Sequence, residues 1–207
     1  GSGLGGSSGF CVDKIVAGPA GVGVVGIRKP VGENIRALAK ALGKPVDEIV
    51  VSVLNRPRHE KLIAEIRASG AGTRLMSDGD VAGGINAARH NARTDMCIGI
   101  GGSPEGIVTA CAIKALGGHI QGRMWPRDDA ERQRGIDAGL KMDYVYEADE
   151  LVKGNNTVFV ATGVTDGQLV SGVRRAGDWL YTESVVLRGA SGTLRRISSE
   201  HLTSKWL

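Results

Sequence analysis

The sequence has few aromatic residues, eight in a chain of 207. A surface that stacks on bases needs more, and the Lys and Arg residues are scattered among carboxylates instead of gathered in a patch, so the net charge of +4 does not point to nucleic acid. A small anionic substrate accounts for a modest positive excess. Cysteine is scarce as well: Cys11, Cys97 and Cys111 have no metal-site spacing and read as reduced thiols of a cytoplasmic protein. No apolar run reaches the ~18 residues of a membrane span, and no charged-then-apolar leader precedes a small-residue cleavage site. Cytoplasmic localisation and no membrane partner are the expectations.

Hydrophobic residues make up 42% and charged residues 23%, a balance that supports one packed domain without covalent staples. Residues 1–9 contain only Gly, Ser and one Leu, which is linker composition, so the globular part is expected over residues 10–207.

Beyond a helix expected over 33–42, stopped by Gly43, a strand, loop and helix recur three times. The first unit is a strand over 48–54, the loop Asn55-Arg56-Pro57-Arg58-His59, and a helix to Ser69. The second is a strand over 73–76, the loop Ser77-Asp78-Gly79-Asp80, and a helix to Arg89. The third is a strand over 96–100, the loop Gly101-Gly102-Ser103-Pro104-Glu105, and a helix to Leu116. Only crossover connections return a chain to begin another parallel strand, so the three loops are expected at the carboxyl edge of one sheet, where open α/β sheets bind ligands. A strand over 120–125 and a helix over 128–138 follow. Segments 157–161, 180–188 and 193–197 read as strands, the last two an antiparallel pair, giving a mixed sheet.

Each loop has a chemical and a plain reading. Arg56 and Arg58 flank a proline at a helix entry, where two guanidiniums and free N–H groups form a phosphate clamp; a solvated basic helix start is the plain alternative. Asp78 and Asp80 around Gly79 can accept sugar hydroxyls or help to hold a hard cation, and either could simply cap the helix. The glycines before Ser103 let a ligand approach the main chain, Ser103 can cap the helix, and Pro104 suits its first position. Glu105 in that first turn either offsets the helix dipole or binds a metal beside the substrate. The dinucleotide spacing G-x-G-x-x-G is absent from this turn, and a glutamate there would repel a bare pyrophosphate, which weighs against a nucleotide-binding module.

In order and spacing, Arg56-Pro57-Arg58-His59, Ser77-Asp78-Gly79-Asp80-Val81-Ala82 and Gly99-Ile100-Gly101-Gly102-Ser103-Pro104-Glu105-Gly106 resemble the motifs of class II fructose-1,6-bisphosphatases. Support continues through Ala161-Thr162-Gly163-Val164-Thr165-Asp166-Gly167, Thr182-Glu183-Ser184 and Ser191-Gly192-Thr193. The resemblance implies an α/β fold of the layered α/β/α/β kind found in the sugar-phosphatase and inositol-monophosphatase superfamily. It also implies hydrolysis of the 1-phosphate of fructose 1,6-bisphosphate with Mn or Mg, a place in gluconeogenesis, and a homo-oligomer. Carried over by motif, Arg56, Pro57, Arg58, Asp78, Gly79, Asp80 and Gly102 line the sugar-phosphate site, and Glu105 binds metal. Two departures stand out. The family's Asp-Pro-x-Glu/Asp-Gly-Thr metal motif does not occur, so the chain is expected to lack the metal-binding part and to be incomplete for catalysis, with no catalytic residue assigned. A family tyrosine is matched by Cys11. A non-catalytic sugar-phosphate-binding domain is the alternative.

Overall fold

The computed structural model describes residues 9–205. The linker-like composition of residues 1–8 lies outside this range. The chain forms β1 (Cys11–Ala17), α1 (Val31–Leu42), β2 (Val50–Leu54), α2 (Glu60–Ala68), β3 (Gly72–Met76), α3 (Asp80–Ala88), β4 (Met96–Gly102), α4 (Ser103–Ala115), β5 (His119–Trp125), α5 (Asp129–Asp137), β6 (Val145–Glu147), α6 (Ala148–Leu151), β7 (Val158–Thr162), β8 (Arg174–Ala176), β9 (Trp179–Arg188) and β10 (Thr193–Leu202).

Two sheets form. The first is six-stranded and mixed, in the order β3-β2-β4-β1-β5-β6, and the second is antiparallel, β10-β9-β7 with β8 also on β9. Strands β2, β3 and β4 run parallel, as the three strand-loop-helix units require. β1 runs antiparallel to both β4 and β5 at the centre of the sheet.

The apolar pattern stacks these elements into four layers. Ile35 and Leu38 of α1 and Ile66 of α2 pack with Ile15, Val51 and Met96 on one face of the mixed sheet. Ala87 and Ala88 of α3 and Ala110 and Ile113 of α4 pack with Val12, Val16, Ile120 and Met124 on the other. The far sides of α3 and α4, through Ile85, Ala112 and Ala115, meet Phe159, Val185 and Leu187 of the second sheet. Helices buried on both sides must be apolar or small around most of their circumference, and α3 is rich in Ala and Gly, and α4 in Ala, for that reason. The α/β/α/β layering expected from the resemblance is thus present, with the C-terminal strands forming a layer of their own and not an extension of the first sheet. Among the described residues no helix is long and apolar enough to cross a membrane.

Two differences from the sequence expectation bear on the site. Gly101 and Gly102 are not loop: they continue β4, opposite Val12 and Cys11 of β1, because that neighbouring strand supplies a ladder for their backbone groups. Gly102, not Ser103, occupies the cap position of α4, and Ser103 is already helical. Strand β1 itself has charged residues, Asp13 and Lys14, at its centre, which interrupt the apolar pattern and leave it unassigned from sequence.

Candidate functional site at the carboxyl edge

Strand β2 is followed by a helix on one face of the mixed sheet, β4 by a helix on the other. Such a reversal opens a crevice beyond the strand ends. The pairing of β2 with β4 stops at Ser52–Cys97, although β4 runs on to Gly102, so the two strands part before their tips. The backbone of β4 then needs other partners, and the loop after β2 provides them. In the buried ring of His59, Nδ1 donates to the Leu54 carbonyl and Nε2 accepts from the Ile100 N–H, both at 2.8 Å. Those roles fix a neutral imidazole with its proton on Nδ1. Burial, helped by the nearby cations Arg58 and Lys14, holds its pKa below the ordinary value, and the bond to Leu54 opposes that only in part. Arg58 Nη2 donates to the Ile100 carbonyl at 2.8 Å. Both backbone groups of Ile100 are therefore held by two consecutive side chains of this loop.

The next two residues of β4 receive the other two motifs. A Cβ on Gly101 would stand 2.1 Å from Asp80 Oδ2 and 2.6 Å from Lys14 Nζ. One on Gly102 would stand 2.1 Å from Glu105 Oε2. Only residues without side chains let these carboxylates lie against the strand. Arg58, Asp80 and Glu105 thus meet three successive positions, Ile100, Gly101 and Gly102, and the structure brings together one group from each loop. Cys11, the match to the family tyrosine, stands beside Gly102 at the same edge, with Trp125 on its other side.

The remaining residues are arranged less uniformly. Arg56 is half-buried and its guanidinium bonds the adjacent Asn55 carbonyl, and Pro57 opens the 3₁₀ turn Pro57–His59 that leads into α2. The aspartates do not act as a pair. Asp80 is 9% exposed and makes an ion pair with Lys14, itself 2% exposed. Asp78 is exposed, accepts from the Gly79 N–H at 2.8 Å, and faces with Gly79 a separate cavity that includes Arg74, Asp166 and Gln168. Gly79 takes the cap position of α3, so neither aspartate caps it through its side chain.

Sequence reasoning missed Lys14 and gave His59 no task. The signal for Lys14 was present, since it alternates with Val12 and Val16 on an inward-facing stripe, where a cation implies a buried partner. Asp13 on the opposite face bonds Arg123 at 3.0 Å. Burial pushes its carboxyl above the usual value, against the pull of that guanidinium.

A divalent cation needs about six oxygen ligands, several from carboxylates. Glu105 is exposed and available, but Asp80 is already neutralised by Lys14, and among the described residues no three His, Cys, Asp or Glu side chains are grouped to hold a metal. The residues present do not by themselves fit a resident divalent ion.

The sequence model described as bacterial fructose-1,6-bisphosphatase, glpX-encoded, matches residues 3–201. The chain belongs to this family. Among curated relatives of the bisphosphatase family, "Fructose-1,6-bisphosphatase class 2" of Haemophilus influenzae is 38% identical over 203 residues, covering 92% of this chain and 61% of the relative. "Fructose-1,6-bisphosphatase 1 class 2" of Escherichia coli is 36% identical, covering 92% of this chain and 60% of the relative. The chain spans about 60% of the length of these relatives. Class 2 bisphosphatases are metal-dependent.

Proposed function

We propose that the crevice at the tip of β4 binds the sugar phosphate of a class 2 fructose-1,6-bisphosphatase, which hydrolyses the 1-phosphate of fructose 1,6-bisphosphate to fructose 6-phosphate and phosphate, a gluconeogenic step in the cytoplasm. The single observation that carries this reading is the convergence of Arg58, Asp80 and Glu105 on Ile100, Gly101 and Gly102. Arg56 and Arg58 hold a phosphate; guanidiniums match phosphate oxygens in geometry. Asp80, paired with Lys14 through one oxygen, offers its second oxygen to a sugar hydroxyl; Asp78 and Gly79 face the separate cavity and take no part in this crevice. Gly102 keeps the main chain open to the ligand. Phosphoryl transfer is accelerated chiefly by positioning and by neutralising charge, and these residues do the positioning.

Glu105 is the residue proposed to face the catalytic Mn or Mg, whose chemistry is polarisation of the phosphoryl group and activation of water. One carboxylate is too few to retain that ion, so hydrolysis needs further donors than the described residues supply. That shortage favours a second reading, in which these residues alone bind a sugar phosphate without turning it over. A homo-oligomer is proposed from the family resemblance alone.

Release of phosphate from fructose 1,6-bisphosphate, with and without Mn, tests the assignment alongside metal-free binding of fructose 6-phosphate. Saturable binding with no release from this chain is the expected result. Absence of binding would remove the reading, and Mn-dependent release would show that the donor set is larger than Glu105.

A further inference from the structure

A second polar cavity lies at the opposite end of α3 from Asp80. Its volume is about 280 Å³, and Arg74 of β3, Asn86 and Arg89 at the end of α3, Arg93 and Thr94 of the following turn, and Gln168 line it. Three guanidiniums face this small space, no carboxylate lines it, and none of the three forms an ion pair among the described residues. Like charges gathered without a counterion raise the free energy of the folded chain unless something compensates them. Glu183, the acid that acts electrostatically on Arg89, is already bonded to Arg196 at 2.5 Å and to the Ser171 N–H at 2.7 Å.

The cavity is also built. Arg89 Nη1 donates to Asn86 Oδ1 at 3.3 Å, and Asn86 Nδ2 donates to Gln168 Oε1 at 3.3 Å, so the guanidinium is held in place by a short relay. The Thr94 hydroxyl is buried and has no partner. The turn between them carries Asn91 at φ 58°, the one residue other than glycine with positive φ among those described. Strained backbone, an orphaned hydroxyl and unpaired cations occurring together are the features of a site that a ligand completes.

We propose that this cavity is a second anion site, separate from the crevice at β4, and that it takes the phosphate group of a small phosphate monoester. Guanidiniums in this number select a phosphate over a carboxylate. The body of the ester extends into the adjoining cavity of about 670 Å³, which shares Arg74 and Gln168 and is lined by Asp78 and Asp166. Carboxylates there accept hydrogen bonds, so that body carries hydroxyl groups.

Titration calorimetry with inorganic phosphate and with glycerol 3-phosphate tests this on the wild-type chain, on R93A and R89A/R93A, and on R58A. The wild type is expected to show two sites, with glycerol 3-phosphate favoured at the one that persists in R58A. R93A weakens that site about tenfold, and the double variant removes it. Arg93 is exposed and its side chain makes no bond among the described residues, so R93A reports on binding even if the double variant fails to fold. A single site that R58A abolishes, or unchanged phosphate affinity in R93A, would overturn the proposal. Loss of binding in R93A with none in R58A would leave it standing while removing the assignment of the β4 crevice.

Discussion

At the scale of single residues, His59 joins two strands that do not pair at this level. Replacing it with alanine takes the acceptor from the Ile100 N–H, leaves the Leu54 carbonyl with the Arg56 N–H as partner, and opens a cavity, at a cost of about 3 kcal/mol. Urea denaturation of H59A should show that loss as a lower midpoint. The same ring makes stability depend on pH. Its folded pKa lies below the unfolded 6.5, and burial lowers His119 in the same direction. As pH falls through 6.5 the unfolded chain takes up protons that the native chain refuses, so stability that is fully present above 6.5 declines until the lower folded values are reached. Denaturation midpoints measured across pH 6.5 should fall on the acid side, and less steeply in H59Q. Lys14 gives a sharper case. Substitution by Met strands Asp80 as a buried charge, expected to cost about 3–5 kcal/mol, whereas K14M/D80L should recover most of that. A loss in the double variant equal to the sum of the K14M and D80L losses would show that the pair is not coupled.

At the scale of elements, β4 does the most to shape the crevice, through glycines that differ in function. Gly99 adopts φ 139° under the His59 ring, with Nε2 only 3.0 Å from where a Cβ would lie. Gly101 is extended and gives room to Asp80 and Lys14. G101A should therefore push the carboxylate off the strand, costing about 1–3 kcal/mol in stability and weakening sugar-phosphate binding together. Unchanged binding in a folded G101A would detach Asp80 from the ligand. The three strand-loop-helix units were legible because apolar periodicity, Pro57 and Gly43 act locally. β1 was not: its ends are set by the two strands it joins, and its charged centre is compatible with a strand only because Asp80 and Arg123 arrive from 66 and 110 residues away. Extension of β4 through two glycines has the same non-local cause, as does the separation of Asp78 from Asp80, which depends on Lys14.

At the scale of the whole molecule, four layers place the reversal between β2 and β4 inside the mixed sheet, and α3 spans the distance from this crevice to the arginine-lined cavity. The sequence motifs place Arg58, Asp80 and Glu105 beside β4 because each loop is short and starts a helix. The second cavity was not legible, since Arg74, Arg89 and Arg93 come from an edge strand, a helix end and a turn with no shared motif. The central claim is that the tip of β4 holds a phosphorylated sugar through Arg58. Calorimetric titration of fructose 6-phosphate into the wild-type chain and R58A tests it most directly. Saturable binding that weakens about tenfold or more in R58A is the predicted result; equal affinity in the two proteins would contradict the account.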